Sequence, residues 1–274
     1  MTADDRTASA PTTRDRVRAI LVLVAVPATL LGAAVGSGLL GGGTAEGVGE
    51  GAFASDATPL APAGTAFSIW SVIYLGLAVY GIWQVLPRNQ ADPRQRWMGW
   101  LALASMVLNA AWITASLATA VALTVVIIVA LLLTLIAIFE TLRRIRARSL
   151  VETVVVDGTF GLYLGWVCVA TVANVAAWLA DMGLRPEAFA IPASIVLVVV
   201  AGIGIALALR GHGRLGPMLA IVWGVAWIGV ARATGEPSST VIPVVAAIVC
   251  VVVAAATVAA RLRAHRRPQR AVAR

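Results

Sequence analysis

The 274 residues have a mean hydropathy of +0.91, with 60% hydrophobic and 12% charged residues. This composition excludes a water-soluble globular enzyme, because so much apolar surface could not be buried in a chain of this length. Every one of the 21 basic residues is arginine, and the formal net charge is +8. Backbone groups in lipid must be paired within the protein, which leaves helices or a closed barrel. The apolar runs are about 20 residues long and lack the alternation of barrel strands, so they predict an all-α polytopic membrane helix bundle.

Eight membrane spans are predicted along the chain. The first five carry most of the aromatic and amide residues, so we expect a five-helix core over residues 17–180 and a three-helix extension over residues 181–262. The polar residues 1–16 and the arginine-rich residues 263–274 predict disordered tails. The predicted spans are residues 17–40, 63–86, 97–116, 119–139, 157–180, 189–209, 215–233 and 240–261.

The arginines are distributed unevenly between the two sides of the predicted bundle. All but two of them lie in the tails and in alternate connections, whereas the opposite connections hold only Arg185 and Arg232 together with six carboxylates. By the positive-inside rule, this pattern predicts a multi-pass protein of the cell membrane with both termini in the cytoplasm. It assigns the positive charge to anionic lipid headgroups, so membrane lipid is a predicted partner and nucleic acid is not.

The first predicted span allows two interpretations. Three arginines ahead of an apolar run, with small residues at 33–38, fit a cleaved signal peptide, but the run over 19–40 is longer than such peptides have and favours a retained helix. Gly32 and Gly36 have a spacing that permits close helix packing, either within the chain or in a homodimer. The glycine-rich connection 41–62 is long enough to act as a lid.

Charged residues are absent from the centres of the predicted spans. This absence argues against a proton pump, a carboxylate-coupled carrier or an intramembrane metalloprotease. We interpret Glu140 with Arg143 and Arg144 as an ion pair at a helix end and Asp157 as a helix start. Both histidines lie in polar connections and both cysteines lie in apolar spans, so no catalytic residue, metal site or resident cofactor is predicted.

Aromatic and amide side chains recur at helical spacings in three of the spans. Each set shares one face of its helix, and an amide at mid-span needs partners away from lipid, so the three faces can converge on a ligand pocket. Core packing accounts for Trp70, Trp112 and Trp166 equally well on physical grounds. The sets are Phe67, Trp70 and Tyr74 in the second span, Asn109 and Trp112 in the third, and Tyr163, Trp166, Ala170 and Asn174 in the fifth.

At these residues the sequence resembles the TspO family of tryptophan-rich sensory proteins, which includes the mitochondrial translocator protein once called the peripheral benzodiazepine receptor. The last helix of that family looks like Pro-Tyr-x-x-Trp-x-x-Phe-Ala-x-x-Leu-Asn. Here Tyr163, Trp166, Ala170 and Asn174 stand at the same spacings, and the Pro, Phe and Leu are replaced.

Other matches to the family lie earlier in the chain, and the resemblance covers residues 17–180. Thr65 and Ala66 stand where the family has a Trp after its Gly, and Phe67 is one residue closer to Trp70 than the family's Phe, which indicates a divergent, extended member. Asn109 and Trp112 match the family's Asn-x-x-Trp on its third helix, and Trp70 and Tyr74 match its Trp-x-x-x-Tyr on the second. Before the second helix, Pro59, Pro62 and Gly64 resemble the family's Pro-Pro-Gly sequence.

The resemblance implies a membrane receptor or carrier whose partner is a flat, apolar small molecule. The first candidate for this ligand is a porphyrin or another tetrapyrrole of the haem pathway. The nine aromatic, amide and alanine residues of the three sets above would bind it. One alternative is a permease for a small neutral solute that uses all eight helices, with Trp223 and Trp227 along its pathway. Another is a porphyrin-degrading enzyme with a redox-active tryptophan, but the sequence offers no acid, base or metal ligand for it, so a non-enzyme is predicted.

Overall fold

The computed structural model describes the backbone of residues 10–36 and 51–271, and within them the side chains of residues 10–27, 29 and 51–266. These residues form eight long helices and no strand. A 3₁₀ turn, Gly64–Ser68, leads into the second long helix, and a π-helix, Thr153–Gly158, leads into the fifth. The helices are α1 (Thr13–Gly36), α2 (Ile69–Val85), α3 (Pro93–Leu117), α4 (Val121–Arg144), α5 (Thr159–Asp181), α6 (Ala190–Arg210), α7 (Leu215–Thr234) and α8 (Val241–Ala271).

The helices from α2 to α8 are long and apolar enough to cross a membrane. This confirms an all-α polytopic bundle for the described part of the chain. The side chains of α1 are described only in part, so its crossing stays a prediction, as does the homodimer contact through Gly32 and Gly36. Residues 37–50, which include the end of the first predicted span and much of the predicted lid, lie outside the described residues.

Helices extend into the described parts of both predicted disordered tails. At the start, Thr12 Oγ1 accepts from the Asp15 backbone N–H at 3.3 Å, and Asp15 Oδ2 accepts from the Thr12 N–H at 3.0 Å. This reciprocal pair is a capping box, so the helix begins within the predicted tail 1–16. At the other end α8 continues to Ala271, because Ala, Leu and Arg favour helix after the apolar span is complete.

Asp15 joins the beginnings of α1 and α3 through two arginines. It is 3% exposed, and its carboxylate accepts from Arg18 Nη1 at 3.1 Å and from Arg96 Nη2 at 2.8 Å. The hydrogen bond from Arg96 holds the pKa of Asp15 well below its usual range, and hydrogen bonds from Thr12 act in the same direction against the cost of burial. The folded protein therefore stabilises the ionised form of the Asp15 carboxylate.

We expect this carboxylate to contribute to acid unfolding. Because the pKa of Asp15 is lower in the folded than in the unfolded chain, its contribution is complete above about pH 4–5 and is lost as the pH falls below about 4. The variant Asp15→Asn should therefore be less stable than the unchanged protein at pH 7 and should lose less stability between pH 5 and 3, as measured by thermal unfolding in detergent. Asp181→Asn, at an exposed position, is the control; parallel profiles for Asp15→Asn and the unchanged protein would contradict the assignment.

The first five helices form a closed ring in the order α1, α2, α5, α4, α3. The extension attaches to this ring mainly through α7, which packs on α5, while α8 packs on α7 and α6 packs on α8. The buried apolar side chains fall into two clusters, one mainly on α1 to α5 and the other mainly on α6 to α8. The division of the chain at residue 180 stays a prediction, but the packing identifies α5 and α7 as the joint between the two groups.

Small residues bring α5 and α7 into close contact. A Cβ added to Gly165 would lie 2.3 Å from the backbone oxygen of Pro217, and one added to Gly161 would lie 3.0 Å from Pro217 Cδ. Further along, a Cβ at Gly224 would lie 3.0 Å from Val169. The backbones thus approach along several turns, which is how helices in membranes gain packing energy.

We call the end of the bundle with the arginine-rich connections the basic end and the opposite one the acidic end. A buried group at the basic end, which we call the ion cluster, joins Arg94 to Glu152 at 2.9 Å and to Asp157 at 2.7 Å. Arg214 also binds Asp157, and both arginines donate to the Leu142 carbonyl. Four separate helical segments, the starts of α3, α5 and α7 and the end of α4, are thereby tied together.

The two sequence interpretations of charged residues at this end have different outcomes. The predicted ion pair of Glu140 is confirmed for Arg143, with a separation of 2.6 Å, whereas among the described residues Arg144 forms no salt bridge with it. The predicted helix start at Asp157 is wrong, since the helical segment already begins at Leu150, where the Ser149 hydroxyl accepts from the Glu152 N–H. Asp157 binds arginine side chains instead of capping a helix.

Candidate functional site

The 3₁₀ turn before α2 determines where its aromatic side chains lie. The turn carries Phe67 at the acidic end of the bundle, and its residue Ala66 is fully buried. Trp70, the second residue of α2, and Tyr74 are four residues apart and stack with ring centroids 5.1 Å apart and planes 18° apart. All three aromatic side chains are half-buried and face the interior of the ring.

These side chains meet two fully buried rings of α5. The Trp166 ring lies 5.8 Å from Phe67 and 6.2 Å from Trp70, both in edge-to-face geometry, and the Tyr163 ring lies 5.7 Å from Trp70. Such contacts are favourable beyond the burial of the rings themselves. The structure thus brings five of the nine predicted residues together in what we call the aromatic cluster, formed by Phe67, Trp70, Tyr74, Tyr163 and Trp166.

Hydrogen bonds attach this cluster to α3. Asn109 Nδ2 donates to the Tyr74 hydroxyl oxygen at 3.1 Å, and the Tyr163 hydroxyl donates to the Ser105 carbonyl at 3.2 Å. Asn109 is 1% exposed, so its amide finds its partner inside the ring, as an amide in lipid requires. A sixth predicted residue is therefore in direct contact with the cluster.

The three remaining predicted residues lie nearer the acidic end. Asn174 is 1% exposed and its Nδ2 donates to the Thr124 hydroxyl of α4 at 3.0 Å. Ala170 is half-buried one turn before it and packs on the same apolar core. Trp112 contacts the ring of Phe53, which precedes α2, at a centroid distance of 5.5 Å.

Several buried polar atoms of this region have no hydrogen-bond partner among the described residues. They are Trp166 Nε1, Trp112 Nε1, the Asn174 Oδ1 atom and Ser116 Oγ. Buried polar groups are nearly always paired, and leaving one unpaired costs about 1–3 kcal/mol. The unpaired donors and acceptor are thus available to a bound molecule with an acceptor for an indole N–H and a donor for an amide oxygen.

Two contact residues of the site were not predicted from the sequence. Thr124 is one of three threonines in an apolar helix, and its proximity to Asn174 follows only from the packing of α4 on α5. Phe53 lies in a connection without periodicity, so no pattern assigns it a face. Among the described residues, no three His, Cys, Asp or Glu side chains come together where they could hold a metal ion.

These features define a class: a polytopic all-α membrane protein in which a ring of helices encloses aromatic and amide side chains. A family model described as TSPO-like protein matches residues 19–259, and the chain belongs to this family. The match reaches all eight helices, beyond the residues 17–180 that carry the motifs. No curated protein and no solved structure matches the chain.

Proposed function

We infer that the chain is a membrane receptor or carrier that binds a flat apolar ligand, a porphyrin or another tetrapyrrole, at the aromatic cluster. The observation that carries this proposal is a set of buried indole and amide atoms beside aromatic rings, which have no hydrogen-bond partner among the described residues. Trp70 and Tyr74 offer half-buried ring faces, Trp166 offers a donor, and Asn174 offers an acceptor. Membership of the TSPO-like family supports the same ligand class.

The magnitudes agree with a ligand of moderate affinity. Burial of about 300 Å² of apolar ligand surface stabilises the complex by roughly 7 kcal/mol, and each aromatic contact adds about 0.5–1.5 kcal/mol. The loss of translational and rotational freedom on association offsets several kcal/mol of this binding free energy, which leaves a dissociation constant on the order of micromolar. Substitution of a single contact should therefore produce a change that a titration resolves.

The proposal includes an orientation in the cell membrane. The arginines at the basic end favour the cytoplasmic side, where anionic lipid is concentrated, and so both termini would be cytoplasmic. Phe67 and Trp70 of the aromatic cluster lie within two residues of the start of α2, which is at the acidic end of the bundle. The ligand would accordingly bind in the half of the bilayer that faces away from the cytoplasm.

We expect Trp166→Phe to weaken porphyrin binding about tenfold, because it removes one buried N–H donor that a ligand acceptor would pair while keeping an aromatic ring. Titration of the purified protein with protoporphyrin, followed by the porphyrin absorption band, measures the affinity independently of the number of tryptophans. Trp97→Phe is the matched control, since Trp97 is 71% exposed on α3.

Unchanged affinity in both Trp166→Ala and Asn174→Ala would overturn the assignment of the site. Two other outcomes favour the alternatives predicted from the sequence. Uptake of a neutral solute into vesicles, without porphyrin binding, favours a permease. Loss of the porphyrin absorption in light and oxygen, dependent on a tryptophan, favours an enzyme.

A further inference from the structure

The described part of the connection between α1 and α2 is bound to α7 at three points. We call residues 51–68 the entry segment. The buried guanidinium of Arg232 donates from Nη2 to the Ser55 carbonyl, the Ala63 N–H donates to the Trp227 carbonyl at 3.2 Å, and Trp223 Nε1 donates to the Ala66 carbonyl at 2.9 Å.

These three contacts are spread along α7. Positions 223 and 232 are nine positions apart, which is about 13 Å of helix, and position 227 lies between them. Arg232 is 1% exposed and donates from Nη1 to the Pro237 carbonyl at 3.2 Å, so its side chain is held on both sides. Leu60, between the bound carbonyls, is 6% exposed and packs in the apolar cluster of α6 to α8. The entry segment is thus fastened to the extension along much of its length.

The same segment covers the aromatic site of the ring. Phe53 lies on Trp112 with centroids 5.5 Å apart, and Phe67 lies against Trp166 at 5.8 Å. The indole N–H groups of Trp112 and Trp166 have no hydrogen-bond partner in the part of the chain that the structure describes. A ligand that reaches these groups from the acidic end has to pass the two phenylalanines. Phe53 lies two residues before Ser55 and Phe67 directly follows Ala66, the residues whose carbonyl groups α7 binds.

We propose that Trp223 and Arg232 are positioning residues that hold the entry segment over the site, so that the last three helices control how fast ligand enters and leaves. This inference rests on the proposed function, because it concerns exchange at that same site. Opening the segment breaks the same contacts in the free and in the liganded protein. Weakening a contact therefore raises the association and dissociation rates together and leaves their ratio nearly unchanged.

The tryptophan pair of α7 provides a matched test. Trp223→Phe removes the N–H that binds Ala66, whereas Trp227 contributes its backbone carbonyl, so that Trp227→Phe keeps its hydrogen bond to Ala63. The two rings are neighbours with centroids 5.6 Å apart, and the two substitutions remove the same atoms. For Trp223→Phe we expect both protoporphyrin rate constants, measured by stopped flow, to rise about five- to tenfold with a dissociation constant within about twofold of the original. Trp227→Phe should leave both rates unchanged.

A second measurement needs no ligand. Amide hydrogen exchange at Ala63 and Ala66 should be faster in Trp223→Phe than in Trp227→Phe, because the entry segment opens more often. Unchanged exchange in Trp223→Phe would overturn the attachment, and faster exchange with unchanged porphyrin rates would overturn its role in ligand exchange. If the unchanged protein binds no porphyrin at all, the proposed function fails together with this control of ligand exchange, and hydrogen exchange still decides whether α7 holds the segment.

Arg232→Gln should raise both porphyrin rate constants further than Trp223→Phe does, since it removes a buried charge-assisted contact.

Discussion

Replacement of Asp157 by asparagine is expected to lower the free energy of unfolding by about 3–5 kcal/mol, as for other buried ion pairs that lose one partner. Asp157 accepts from Arg94 at 2.7 Å and also from Arg214, and the exposed fractions of the three side chains are 10%, 1% and 24%. Without the carboxylate, only Glu152 remains to balance two guanidinium groups. Thermal or denaturant unfolding in mixed micelles measures the loss.

Two variants separate this effect from a general sensitivity to charge. Glu140→Gln breaks a pair of the same kind on α4, but there the side chains of Glu140 and Arg143 are 26% and 33% exposed, so the expected cost is below about 1 kcal/mol. The double variant Asp157→Asn with Arg214→Gln restores the charge balance and should recover part of the stability. Equal losses in Asp157→Asn and Glu140→Gln would show that the ion cluster has no special contribution.

The substitution Gly165→Ala is expected to force α5 and α7 apart. Its new Cβ would meet the Pro217 carbonyl oxygen at 2.3 Å and the Pro217 Cα at 2.9 Å, both backbone atoms that cannot rotate away. Overpacking of this kind typically costs about 1–3 kcal/mol. Because α7 also holds the entry segment, we expect faster hydrogen exchange at Ala63 in the same variant.

Gly202→Ala is the control for this second prediction. A Cβ at Gly202 on α6 meets nothing within 4 Å, and alanine is the better helix former by about 1 kcal/mol, so this variant should be as stable as the unchanged protein or slightly more stable. Gly165→Ala and Gly202→Ala are compared by melting temperature in detergent. Equal melting temperatures would mean that the close approach of α5 and α7 contributes little to stability.

The pattern of residues in the sequence was sufficient for several features of the site. The helical spacing of Phe67, Trp70 and Tyr74 places them on one face, and the structure keeps them together because neighbours three and four residues apart share a face in any helix. An amide such as Asn109 in an apolar span needs an internal partner, and it has one in Tyr74. Predictions of this kind succeed because the contact lies within one helix or follows from the cost of an unpaired amide.

Other features of the site involve residues far apart in the chain. Trp223 and Ala66 are 157 positions apart, and Arg232 and Ser55 are 177 apart, yet these pairs bind the entry segment. The local sequence around Arg232 does not show whether its side chain is buried and bound to carbonyl groups or exposed at the end of a span. Trp223 and Trp227 were predicted to line a pathway, and that prediction stays untested, but the contacts place them beside the entry segment.

The positions of apolar residues and arginines along the sequence were enough to predict the lipid environment, the helical class and the approximate limits of the spans. The hydropathy and charge of each segment depend only on the residues within it. The order of helices around the ring, the joint between α5 and α7 and the partners of Asp157 were decided by the tertiary structure. The physical reason is that lipid is as apolar as a helix surface, so burial against lipid and burial against a neighbouring helix look the same in the sequence. Which faces meet depends on close packing and on polar pairs between distant segments, and these exist only once the bundle is assembled.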